Sequence, residues 1–170
     1  RPEAGTPATM QTTAASALIP PTMRVFERGW LSSNNVLLFD DEAATLVDTG
    51  YVSHRMQTLA LVQSALGGRK LTRILNTHLH SDHCGGNAYL QRATGARIAI
   101  PPGHTDAVAR WDGYRLSFRA TGQECDRFTH DDVLQPGGEI LRLRCSCDNP
   151  IHTPTQSRGR ATHSTPSSGK

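Results

Sequence analysis

At 170 residues the chain has room for one globular domain with a real core and is short for two. The formal charge of +3 hides an asymmetry: residues 141–170 hold five basic side chains against one acid, and the rest of the chain is close to neutral. That basic stretch lies at one end and carries no aromatic residue for base stacking, so it is weak evidence for a nucleic-acid partner. Four cysteines without an even framework argue against a disulfide-built scaffold and for a reducing, cytoplasmic setting. No stretch approaches the length needed to cross a bilayer.

Residues 1–22 are rich in Ala, Thr and Pro without a period and read as a disordered leader, with the longest apolar run, Ala17 to Pro21, too short for a signal-peptide core. Three short apolar runs follow, "MRVFERG", "NNVLLFD" and "ATLVDTG", which read as strands of a meander. Trp30, between the first two, is expected to cap a hairpin or line a cleft. From Val52 the period changes. Val52, Met56, Leu59, Val62 and Leu66 recur at helical steps, predicting one buried helix face, and Gly67-Gly68 supplies the stop.

A strand is expected over Leu71–Asn76, then a histidine-rich loop, a helix over Asn87–Thr94, a strand in "ARIAIP" and a helix starting near His104 or Thr105. Alternating strand and helix at this spacing predicts a layered α/β fold with part of its sheet parallel. "RWDGYRLSFRATG", 110–122, reads as an amphipathic stretch whose Trp111, Tyr114 and Phe118 pack in the core by default, with a substrate-side lid as the alternative. "DDVLQPGGEILRL" returns to turn and strand. From Arg144 to Lys170 the only large aliphatic or aromatic residue is Ile151, and Ser, Thr and Pro fill twelve of 27 positions, so 144–170 reads as a disordered tail. A domain spanning 23–143 is the expectation.

The chemistry concentrates in "LTRILNTHLHSDHCGGN", 71–87. In an extended segment residues two apart share a side, so His78 and His80 can reach one point. Asp82 and His83 follow across a turn and can face the same point or one beside it. Imidazole nitrogen and carboxylate oxygen suit Zn²⁺, whose catalytic sites need about three protein ligands and an open position. The two glycines leave room for a sharp turn, and a helix starting after them would aim free N–H groups at an anion. For a lone histidine a chance polar loop is the better reading; for four such residues in six positions behind an apolar strand, a metal site is.

"THLHSDHCGGN" resembles the H-x-H-x-D-H signature loop of the metallo-β-lactamase-fold hydrolases, and "LVDTG", 46–50, resembles the strand and turn that precede it there. The resemblance implies a metallo-β-lactamase-like αβ/βα sandwich, of which this chain carries the N-terminal half, with disordered termini. It implies one or two zinc ions, with His78 and His80 as ligands of the first metal and Asp82 and His83 as ligands of the second. Asp48 would support the site from behind, and Asp82 would orient the attacking hydroxide or move its proton. The family's third histidine falls in a T-P-G-H turn. The nearest counterpart here, "IHTPTQS", has Gln156 in that place, leaving His152 and His163 as formal candidates. The change of character at Leu143 is the pattern a frameshift or truncation produces.

The expected activity is a zinc-dependent hydrolase acting on a small ester, thioester or lactone. A catalytically incomplete metal-binding remnant is the first alternative, and a nucleic-acid-binding or nuclease member of the superfamily the second. Cys84 is expected to be a small buried thiol and not a nucleophile, and Cys145 and Cys147 free thiols. His54, His104 and His130 lack partners at ligand spacing and are assigned to the surface or to helix ends.

Overall fold

The computed structural model describes residues 19–29 and 32–138. The expectations for Trp30, Cys145, Cys147, His152, Gln156, His163, most of the leader and the whole tail lie outside those residues. Six strands form one sheet in sequential order: β1 (Met23–Phe26), β2 (Asn35–Phe39), β3 (Ala43–Val47), β4 (Lys70–Leu75), β5 (Arg97–Ile100) and β6 (Asp132–Val133). The first three pair antiparallel, as the expected meander, and β3 to β6 run parallel. The switch follows from the connections: tight turns join the meander, whereas a parallel neighbour needs a crossover, supplied by α1 (Arg55–Leu66) and α3 (Asn87–Thr94).

Register explains the core. Leu37, Leu46, Ile74 and Ile98 are cross-strand partners in one row over four strands, and all four are fully buried. Burying each such side chain contributes about 1.5–3 kcal/mol, so this row pins the register, because a slip of one residue would turn it to the other face. Val62 of α1, Leu90 of α3 and Val108 of α4 (Thr105–Arg110) pack in the same cluster.

Two expectations on side-chain placement are corrected. Gly67, with φ +57°, stops α1 in the left-handed conformation that glycine adopts without strain, as expected. The buried face of α1, however, runs through Thr58 and Val62, and Met56 is 68% exposed. Leu59 and Leu66 pack against the core beside Val62, as expected, and Met56 lies at the edge of that stripe, in the first turn of the helix. In the 110–122 stretch Trp111 packs on Phe118 and Phe128, with ring centroids 5.7 and 5.5 Å away. Tyr114 instead stands 70% exposed with the Arg119 guanidinium over its ring, because the stretch folds as turns and the short α5 (Phe118–Thr121) instead of one amphipathic helix. His54 and His104 sit at the starts of α1 and α4. No helix among the described residues is long and apolar enough to cross a membrane.

Candidate metal centre

The parallel pairing of β3 with β4 brings their C-terminal ends together, the edge at which open α/β sheets place their ligands. Asp48 leaves the end of β3 and residues 76–80 leave the end of β4. The ladder continues into both: Asp48 N–H donates to Leu75 O at 2.8 Å and Asn76 N–H to Ala99 O at 3.1 Å. Asp48 is 3% exposed and has φ +57°, a left-handed conformation uncommon outside glycine. A fixed network holds it there. Its Oδ1 accepts from Thr77 N–H at 2.9 Å and its Oδ2 from the Thr77 hydroxyl at 2.7 Å, while its carbonyl accepts from Asn35 Nδ2 at 3.2 Å.

Asp48 Oδ2 also lies 2.8 Å from His83 Nδ1, and His83 Nε2 lies 3.2 Å from Asp82 Oδ2. An ionised carboxylate can only accept, so the Asp48 contact calls for a proton on His83 Nδ1, and Nε2 is the nitrogen turned towards Asp82. Thr77 spends its hydroxyl proton on Asp48, so its oxygen accepts from His78 Nδ1, 3.2 Å away, and prepares His78 in the same tautomer. The ring centroid of His78 is 3.7 Å from that of His83 and 4.7 Å from that of His80. Leu79 between them is buried, so the alternation expected of an extended segment holds. Burial and then the neighbouring His83 and His80 lower the pKa of His78, outweighing Asp48 and Asp82, which favours the neutral, ligating form.

Asp82 and His83 come from one turn of helix, α2 (Ser81–Cys84), entered through His80. The structure thus brings His78, His80, Asp82 and His83 into one cluster, with Asp48 and Thr77 behind it. As donors, three imidazoles and a carboxylate fit zinc in kind. Among the described residues, however, no three His, Cys, Asp or Glu groups stand in a ready metal-holding arrangement.

Gly85 and Gly86 form the turn between α2 and α3, as expected, and also serve close approach. Both have right-handed helical backbone. A Cβ on Gly85 would meet Val52 N at 2.4 Å and Ser81 O at 2.5 Å, and one on Gly86 would meet Thr49 O at 2.7 Å. The start of α3 is correspondingly buried against Thr49. Asn87, Asn76 and Thr49, all fully buried, form the anchor there: Asn87 Nδ2 donates to Asn76 Oδ1 at 2.7 Å, and the Thr49 hydroxyl donates to Asn87 Oδ1 at 2.9 Å. The His83 carbonyl accepts from Thr49 N–H at 2.7 Å and from Asn76 Nδ2 at 3.3 Å, which fixes the backbone under the imidazole.

Sequence reasoning passed over Thr77, Asn76, Asn87 and Thr49. The available signal was the pair of asparagines bracketing the loop, residues otherwise out of place in a buried segment. Cys84 is fully buried, and its hydrogen bond to Cys125, with burial, pushes its thiol well above the usual range, so it is a small buried thiol that does not face the histidine cluster as an attacking group. A cavity of about 90 Å³ opens beside the loop, lined by His80, Asp82, Leu116, Phe118 and Gln123 among others.

Comparison with known proteins bears on the family and the fold. The metallo-beta-lactamase superfamily model matches residues 28–161. The chain is 34% identical over 93 residues to a hydroxyacylglutathione hydrolase of Polaromonas sp. (strain JS666 / ATCC BAA-500), covering 55% of this chain and 30% of that protein. A hydroxyacylglutathione hydrolase of Maricaulis maris (strain MCS10) is 41% identical over 49 residues, 29% of this chain and 16% of that protein. Among solved structures, metallo-beta-lactamase MIM-1 from Novosphingobium pentaromativorans superposes with a TM-score of 0.55 at 26% identity, covering 65% of this chain and 41% of that one. BJP-1, a subclass B3 metallo-beta-lactamase of Bradyrhizobium japonicum, does so with 0.54 at 20% identity, a likeness of fold alone, over 64% of this chain and 41% of that one. The chain therefore spans less than half the length of each of these proteins. Its sheet, its histidine loop and a family match over well more than half of its residues agree: the chain belongs to the metallo-beta-lactamase superfamily.

Proposed function

We propose that this chain carries the histidine-loop half of a zinc-dependent hydrolytic centre, and that the substrate is a small thioester of the hydroxyacyl-glutathione class. The single observation that carries the metal assignment is the Asp48–His83 contact of 2.8 Å, which engages Nδ1 from behind and turns His83 Nε2 towards Asp82. His78 and His80 would hold one zinc ion, and Asp82 and His83 a second. Zinc, when bound, would lower the pKa of its water to about 7 and polarise the carbonyl under attack.

The chain's own residues supply the rest. Asp82 Oδ2 orients the attacking water and takes its proton. Asp48 and Thr77 hold the imidazoles so that no reorientation is needed during the reaction. The cavity beside His80 and Asp82, with Leu116 and Phe118 on its wall, has room for a small acyl group. Hydrolysis adds water across the C–S bond and gives a carboxylic acid and a thiol. The thioester assignment rests on the curated relatives, which are named hydroxyacylglutathione hydrolases.

A second reading, a metal-binding chain without catalytic competence, is favoured by the lack of a ready three-group metal arrangement among the described residues. One experiment separates the two. The purified chain is loaded with zinc, and thiol release from a hydroxyacyl glutathione thioester is followed with and without chelator, beside a His78→Ala/His80→Ala variant. Chelator-sensitive hydrolysis that the variant lacks is expected; bound zinc with only background hydrolysis leaves the second reading. If wild type and variant both bind no zinc, the metal assignment fails.

A further inference from the structure

Two cysteines meet at the end of the histidine loop, behind its ligand-type side chains. Cys84 ends α2 directly after His83 and is fully buried; Cys125, 41 residues later, is half-buried in the segment after α5. Their sulfur atoms are 3.9 Å apart and both are free thiols. An S–S bond measures about 2.05 Å, so closure needs an approach of about 2 Å. Cys84 cannot move to make it, since Gly85 and Gly86 press its helix against the backbone of residues 49–52. Cys125 can. Residues 122–131 lie in no helix or strand, and most of 122–127 are exposed.

Access is equally lopsided. Cys125 lines an open groove of about 390 Å³ with Trp111, Arg119, Glu124 and Asp126, whereas Cys84 is sealed. We propose that Cys84 and Cys125 form a reversible redox pair, oxidised by a low-molecular-weight disulfide that enters this groove. The Cys125 sulfur attacks that disulfide and forms a bond to one half, and the other half leaves as a thiol with the Cys125 proton. The Cys84 sulfur then attacks the Cys125 side of the mixed disulfide. The second half leaves as a thiol with the Cys84 proton. Two protein thiols are oxidised and one small disulfide is reduced to two thiols; a small dithiol reverses the exchange. The bond tethers the segment following Gln123, which walls the cavity beside Asp82, to the residue after His83.

The test uses the full chain carrying Cys145→Ser and Cys147→Ser, so that only this pair remains. After incubation with excess oxidised glutathione, non-reducing digestion and mass spectrometry are expected to find the Cys84 and Cys125 peptides joined. The Tm is expected to rise by about 10 °C, because the bond closes a loop of about 40 residues, and dithiothreitol returns it. Adding Cys125→Ser, a change in a half-buried loop, is expected to abolish both effects and leave the unoxidised Tm within a few degrees. Glutathione held stably on Cys125 with Cys84 still free, or no oxidation of either, overturns the proposal. Neither readout needs metal or activity, so failure here is distinct from failure of the hydrolase reading.

Discussion

Asp48 and His83 are 35 residues apart in the chain and 2.8 Å apart in the structure, Oδ2 to Nδ1, with Asp48 buried and in a left-handed backbone conformation. The contact sets which imidazole nitrogen carries the proton, and therefore which one is free to bind metal. Asp48→Asn keeps the size and turns one acceptor into a donor. Its amide would donate to Nδ1 and move the proton to Nε2, where it blocks a ligand position. Zinc affinity is expected to fall about 10–100-fold, read by competition with a chromogenic chelator, while the far-UV spectrum stays native. Unchanged affinity would remove Asp48 from the site.

Metal addition and removal test the same cluster through stability. A ligand that binds only the folded state stabilises by RT ln(1 + [L]/Kd), about 2.7 kcal/mol at a hundredfold excess over Kd. Zinc is expected to raise the Tm, a chelator to cancel the rise, and His78→Ala/His80→Ala to abolish it with little change in the metal-free Tm. Equal zinc shifts in wild type and variant would place the binding elsewhere.

Gly85→Ala is expected to cost about 3 kcal/mol or more, since the new methyl meets backbone atoms that cannot rotate away. Gly68→Ala makes the control. Gly68 has φ +91° and nothing within 4 Å of its added carbon, so it pays only backbone strain of about 1–3 kcal/mol. Urea unfolding of the two variants is expected to rank Gly85→Ala as the worse; the reverse order would mean that α2 is not pressed against residues 49–52.

Asn87→Ala leaves Asn76 and Thr49 with buried polar atoms short of a partner. A loss of about 2–4 kcal/mol is expected, with an unchanged m-value in urea. Zinc affinity is expected to fall as well, because the same residues hold the His83 carbonyl. A surface-like change under 0.5 kcal/mol would refute the anchoring role.

The exposed Arg97–Asp132 pair, 3.0 Å, joins β5 to β6. The hydrogen bond from Arg97 lowers the pKa of Asp132, so the pair contributes stability above the carboxyl's unfolded pKa of about 3.9 and loses it as pH falls through the lower folded value. The effect is small at such an exposed site. Asp132→Asn is expected to lower the urea midpoint slightly at neutral pH and not at about pH 2. A constant difference at both would exclude the ion pair as its cause.

Strands, helix stops and the donor loop were legible along the chain. Each is local: alternation in "NNVLLFD", Gly67 closing α1, and four ligand-type side chains within six positions are properties of near neighbours. The local reading of α1 failed only at Met56, which lies at the edge of the stripe that Leu59, Val62 and Leu66 turn to the core. Only the tertiary structure decided that Asp48 reaches His83, that Asn76, Asn87 and Thr49 lock under the loop, and that Cys84 meets Cys125. Those contacts depend on the parallel register of β3 on β4, with Leu46 beside Ile74 and Val47 beside Leu75. That register is set by packing α1 and the Leu37–Leu46–Ile74–Ile98 row together, a three-dimensional fit that no spacing along the chain encodes.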